Sequence, residues 1–302
     1  MSIDKLPILA IKNPEERSKS IEQAIAGIHN GLITLGLEYA NKITGQFMSP
    51  RSEQYFQLRD STYYRLDSLV FHLRLLRSVQ QKHLQQLQTK PYNQQERHHL
   101  LYVGSDQQFQ LFDSIVFHAI SLFDYFGNLI DFIAGGRNQM RLKWNGVVKA
   151  VHDPKNILSR SPIASVVVRV HKELVNLLYE HRSDVIHYSC DRGGAQTTFN
   201  LVKGNSEFVV FAPHRLTQRF PALKKLGESY RISLDYVAWD VCDNTINAAN
   251  SLVEPLLQHL DHNRKTPVGF AIFLSGDSTK PRGNPQQASS DPNTSAEEPH
   301  RP

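Results

Sequence analysis

The chain has 302 residues, 40% of them hydrophobic, with a formal net charge of +5 and a pI near 9.1. That is enough apolar material for one large or two ordinary globular domains, and the charge tolerates a polyanionic partner without demanding one. The opening MSIDKLPILAIKNPEERS lacks the apolar core of a signal peptide, and no apolar run approaches the roughly 20 residues that cross a bilayer. Cys190 and Cys242 are the only cysteines and read as free thiols of a reducing compartment, so a soluble cytoplasmic protein with no membrane partner is expected.

Between about Glu15 and Ile43, the residues Ile21, Ile25, Ile28, Leu32, Leu35 and Leu37 recur at near-helical spacing, with Gly27, Gly31 and Gly36 weakening the intrinsic preference. Met48-Ser49-Pro50 breaks this helix. A longer one follows with a stripe of Leu66, Leu69, Val70, Leu73 and Leu76, and Pro91 ends it. The polar stretch up to Asp106 reads as a connection. From Gln108 to Ile133 the residues Phe112, Ile115, Val116, Ala119, Leu122, Phe123, Phe126, Leu129, Ile130 and Ile133 keep an i, i+3, i+4, i+7 pattern, the mark of a core helix stopped by Gly135-Gly136.

A turn and a short helix lead to Asp153-Pro154 and then Ser161-Pro162, each a capping residue followed by proline. The helix expected from Pro162 carries Val166, Val167, Val170, Leu174, Leu177 and Leu178 and runs into Tyr179-Glu180-His181-Arg182-Ser183-Asp184-Val185-Ile186-His187-Tyr188-Ser189 before Gly193-Gly194. Alternation around Phe199, Lys203-Gly204 and Phe208 predicts a small β-hairpin within about 195–215. A last helix from about Glu228 to Leu260 should kink at Pro255, and the Ser-, Pro- and Gln-rich stretch 275–302 should be a disordered tail. The expected architecture is all-α: an N-terminal helical region over 1–104, a second helical domain over 105–265 with the hairpin inserted, and the tail.

Chemistry concentrates at Arg182 and His187. Arginine offers a permanently charged planar fork to a phosphate, and histidine exchanges a proton near neutral pH, the pair that phosphodiester cleavage needs. Five residues apart on an ideal helix they diverge by roughly 140° and about 7.5 Å. Either the helix loosens near His187, or a second copy of the chain completes the site across a two-fold axis. A structural reading stands beside this one, in which both side chains cap the helix C-terminus and gain roughly 0.3 to 1 kcal/mol each from its dipole.

The segment resembles the R-x(4–6)-H signature of the HEPN superfamily, helical nucleotide-binding or ribonuclease domains often found in toxin and defence systems. The helix order over roughly 105–262 is similar to that family's up-down bundle, with the first helices as an N-terminal extension. The family often has Asn, Asp or His directly after the arginine, where this chain has Ser183, with Asp184 one place later. The resemblance implies metal-independent RNA cleavage at a homodimer interface, with no cofactor. In that scheme Arg182 holds the scissile phosphate, His187 moves a proton at the 2′-hydroxyl or leaving oxygen, and Ser183, Asp184 and Tyr188 lend support. It also implies RNA as partner, with an antitoxin or regulatory protein as a further one. The alternative is a catalytically silent helical module of the same fold that binds protein or nucleotide.

Other signals are weaker. Arg65 with His72 and Arg77 with His83 share the spacing, sit on positions that read as solvated, and are explained by chance. His181, His187 and Cys190 lack the second ligand pair a zinc site needs, so no metal is expected. Asp124 or Asn128 would contact the motif helix from the core helix, although a solvent-facing or capping role is commoner for such residues. The basic residues Arg169, Lys172, Arg192, Lys203, Arg215 and Arg219 suit an RNA backbone or simply solvate a surface, so the RNA-binding residues stay open. Tyr179 and Tyr188 either stack on bases or pack at the helix interface.

Overall fold

The computed structural model describes residues 6–11, 13–46, 49–89, 92–135, 142–187, 195–200 and 205–263, all within a compact unit spanning Met1–Pro267. The stretch expected to be a tail, 275–302, the Gly193-Gly194 stop and the Lys203-Gly204 turn lie outside the described residues.

The protein is mostly helical. Helix α1 (Pro14–Tyr39) carries proline in its first turn, where the missing N–H costs nothing, and passes through a π turn at Ala40–Thr44. Helix α2 (Pro50–Thr89) returns beside it. The two are bolted by tyrosines of α2: the Tyr55 hydroxyl donates to the Leu32 carbonyl at 2.6 Å and the Tyr63 hydroxyl to the His29 carbonyl at 2.6 Å. Lys42 in the π turn is buried and neutralised by Glu38 at 2.7 Å and by Asp261, so burying its charge leaves no unpaired ion.

Helix α3 (Gln94–Ala134) is the centre of the molecule. Its predicted stripe from Phe112 to Ile133 is buried at every member. The stretch that reads as a connection before Asp106 is helical from Gln94 onward. An Asn93/Glu96 capping box nucleates it: the Glu96 N–H donates to Asn93 Oδ1 at 2.8 Å, and the Asn93 N–H donates to Glu96 Oε2 at 3.0 Å. Helix α3 therefore runs unbroken across 104/105, where the sequence suggests a division. By length and composition α3 would also suit a membrane, but 67% of its most apolar window is buried inside the fold.

Helix α4 (Trp144–His152) lies against α3 where Gly127 leaves room; a Cβ there would stand 2.6 Å from the Trp144 backbone nitrogen. The helix predicted from Pro162 is three pieces in line: α5 (Ile163–Val170), a π segment (His171–Val175) and α6 (Asn176–His187). The strands β2 (Ala195–Asn200) and β3 (Asn205–Val210) pair antiparallel as the expected hairpin. Phe208 of β3 is buried against His83, which is itself buried rather than solvated.

Short helices α7 (His214–Arg219) and α8 (Pro221–Gly227) follow. A feature without a sequence signal comes next: β1 (Ile8–Leu9) pairs in parallel with β4 (Arg231–Ile232), and Ser233 donates from both its N–H and its Oγ to the Leu9 carbonyl at 3.0 Å. The last helix is two, α9 (Leu234–Asn250) and α10 (Val253–His262). The break falls at Ser251-Leu252 rather than at Pro255, which occupies the first turn of α10, where no N–H is needed. His259 of α10 meets the Ser161 hydroxyl at 3.0 Å and fixes the start of α5.

The glycines give a paired test. Gly127→Ala forces α3 away from α4 and should cost about 1 to 3 kcal/mol by overpacking. Gly27→Ala, exposed in α1 with nothing near its Cβ, should instead gain up to about 1 kcal/mol of helix preference. Thermal melts of the two variants should move in opposite directions.

Candidate functional site

Helix α6 leaves the π segment with its faces set against α3. The extra residue of a π turn rotates everything after it relative to the preceding helix, and such turns often occur at working sites. One consequence is that the motif splits over two flanks of α3.

Tyr179 and Arg182, one turn apart, point to the first flank. The Tyr179 hydroxyl donates to Asp124 Oδ1 at 3.0 Å, and the same oxygen accepts from the Trp144 N–H at 3.3 Å. Asp124 thus caps α4 and holds α6 together, so the contact read from the sequence and the capping role are both present. Burial, then the Asp124 charge, push the Tyr179 phenol well above its ordinary pKa, which keeps it a donor. Arg182 is exposed, its guanidinium 5.8 Å from the Phe117 ring centre, and it pairs with no carboxylate among the described residues. Arg65 of α2 lies 5.9 Å from the same ring and also covers Tyr64 and Tyr125. His72 and His118 stack beside them with ring centres 4.7 Å apart. Arg65 and His72 are accordingly half-buried neighbours of Arg182, not solvated bystanders.

His181 and Asp184 point to the second flank. They line a cavity of about 50 Å³, room for a few waters, with Phe109, Phe112 and Asp113 of α3 and Arg215 and Arg219 of α7. His181 is buried, edge-on to Phe112, with Nε2 3.8 Å from Asp113 Oδ1. Asp184 accepts from Arg219, and that bond holds its carboxyl below the usual carboxylate range. Arg219 also faces Glu180 at 3.7 Å, so it is spent inside the protein and is not available to an RNA backbone. Arg169 and Lys172 line a separate groove with Phe220 and Asn244, while Arg192 and Lys203 lie outside the described residues.

Of the sequence-derived site, then, Arg182 stands on the surface and Ser183 beside it is exposed, while Asp184 belongs to the other flank. The helix stays α-helical through His187, so it does not loosen to bring the pair together. The His187 side chain and all of Tyr188 and Cys190 lie outside the described residues. Among the described residues, no three His, Cys, Asp or Glu side chains gather as metal ligands. No motif in the sequence marks Phe117 and His118, and Arg65 with His72 shares the motif spacing but reads there as chance. The only sequence hint was an aromatic, Phe117, standing off the apolar stripe of α3.

Neither a family model, nor a curated protein, nor a solved structure matches this chain.

His118 supplies a titration test. Burial, then the His72 and Arg65 charges, lower its pKa from 6.5 to about 4. The unfolded chain therefore binds this proton first. The stability His118 contributes is complete above the unfolded value and is lost as pH falls through 6.5 toward about 4. Proton NMR should find the His118 midpoint near 4, and Arg65→Gln should raise it by removing a neighbouring cation.

Proposed function

We propose that this chain is a HEPN-like metal-independent endoribonuclease that works as a homodimer, with Arg182 and His187 contributed to each site by different chains. The observation that carries this reading is the state of Arg182: exposed, unpaired among the described residues, and on a helix that remains regular through His187. An accessible cation without a counter-ion is a ready seat for a phosphate. On a regular helix positions 182 and 187 lie roughly 140° apart, and a two-fold contact at the end of α6 would bring a partner's histidine to Arg182. The order α3, then α5 with α6, then α9 with α10 supports an up-down bundle of that class.

The chemistry follows from the groups. Arg182 binds the non-bridging oxygens and offsets the charge that grows on them. His187 takes the 2′-hydroxyl proton or gives one to the leaving 5′-oxygen. As the 2′-oxygen bonds to phosphorus, the bond from phosphorus to the 5′-oxygen breaks, leaving a 2′,3′-cyclic phosphate and a free 5′-hydroxyl. A toxin or defence role, with an antitoxin as the controlling partner, fits such an activity.

One observation favours the second reading, a silent module of the same fold binding protein or nucleotide. Asp184 is turned to Arg219 and lends nothing to Arg182.

In excess chelator, the purified protein should cut RNA to cyclic-phosphate ends and spare an all-deoxy strand. Arg182→Ala and His187→Ala should each lower the rate by about a hundredfold or more while the dimer persists. A folded, dimeric wild type that leaves RNA intact would establish the silent module instead.

A further inference from the structure

Large apolar side chains exposed singly on a surface are ordinary, but here they cluster. Of the seven exposed large hydrophobic residues among those described, three share one face: Tyr64 at 64%, Phe71 at 59% and Phe117 at 43%. Tyr64 and Phe71 are two turns apart on α2, about 10 Å along its axis by helix rise. Phe117 stands opposite on α3. Ring contacts make the cluster continuous: Phe71 meets His72 at 5.3 Å, His72 meets His118 at 4.7 Å, and His118 meets Phe117 at 5.3 Å. Arg65 sits over Tyr64 and Phe117, and Arg182 over Phe117 from α6.

We infer that this strip is a stacking track for single-stranded RNA that leads to Arg182. Flat rings with cations between them suit a chain whose bases stack and whose phosphates need counter-charge. Of the nearby carboxylates, Asp113 faces His181, and Asp124 is taken by Tyr179 and Trp144. Asp67 is the acidic residue left between Tyr64 and Phe71 on α2, against Arg65 and Arg182. The Tyr179 and Trp144 donors are neutral and leave Asp124 its charge, so the arginines act as two cations set directly over the rings and not through a net charge of the face. A second copy of the strip would set arginine against arginine, an arrangement that like charges oppose. Bases of every kind offer a ring face, so the track binds with little sequence preference, and the phosphates fall to the two arginines. Helix α2, which supplies Tyr64, Arg65, Phe71 and His72, lies outside the stretch that resembles HEPN domains, so that half of the track is a property of this chain. It takes its polymer from the ribonuclease reading, but binding is measurable without cleavage.

The test is fluorescence anisotropy of a 5′-labelled 12-nucleotide oligouridylate with the full chain carrying His187→Ala, which keeps the probe intact. Phe117→Ala and the Tyr64→Ala/Phe71→Ala pair, added to it, should each weaken binding by about tenfold or more, with unchanged circular dichroism because all three rings are exposed. Arg65→Gln should reduce the slope of log affinity against log salt by about 0.7, one phosphate contact. Binding indifferent to the aromatic variants overturns the track, as does an absence of binding. So does a shift from dimer to monomer with RNA affinity intact, which would make the face a self-contact. If the track binds but wild type cleaves nothing, the ribonuclease reading alone fails. If wild type cleaves with an unaltered KM in Phe117→Ala, the track alone fails.

Discussion

The apolar stripe of α3 has to be covered along its whole length, and most of the molecule is arranged as that cover. Phe112 through Ile133 present side chains that water would penalise by about 1.5 to 3 kcal/mol each, far more than any surface contact returns. Helices α2, α4, α6, α9 and α10 close over it, and small details serve the closure. Gly127 lets the α4 backbone in, and Asp124 ties Trp144 and Tyr179 to the stripe's polar edge. Because α6 is held by that edge, the position of Arg182 is a by-product of core packing. A charged group set by a rigid scaffold is what a binding site requires.

The same constraint accounts for the division of the motif. A helix resting on another shows one flank to each side of the contact line, and the π turn at His171–Val175 decides which residues fall where. Tyr179 and Arg182 go to the side shared with α2, and His181 and Asp184 go to the side closed by α7. Among the described residues Arg65 and Arg182 on the first side pair with no carboxylate, while on the second Arg219 is neutralised by Asp184 and Glu180 and Arg215 lines the cavity. Two flanks of one helix pair thus put their arginines to different uses.

Long amphipathic elements were legible in the sequence, because a 3.6-residue period sustained over several turns is satisfied by a helix and by little else. The stripes of α2 and α3 were legible residue by residue and the hairpin only as an element, its Lys203-Gly204 turn lying outside the described residues. The polar first turns of α3 were not, since Gln94 to Arg97 carry no apolar period and the Asn93/Glu96 box is a local signal. The Ile8–Leu9 strand is too short to show alternation, and its partner at Arg231–Ile232 is remote in sequence. A π turn shifts the apolar spacing by a single residue, too little to stand out in the series Val167, Val170, Leu174 and Leu178. Of the site, Arg182 was found by residue chemistry. Its companions Arg65, His72, His118 and Phe117 became visible only when α2 and α3 were laid side by side, because adjacency between helices is written in no single segment.

The central claim is that Arg182 acts with a partner's histidine and not its own. Mixing Arg182→Ala chains with His187→Ala chains under conditions of subunit exchange tests it, because each heterodimer then holds one intact composite site and one doubly defective site. Random pairing should restore about a quarter of the wild-type RNA cleavage from two inactive proteins. A mixture that contains heterodimers and stays inactive would contradict the account.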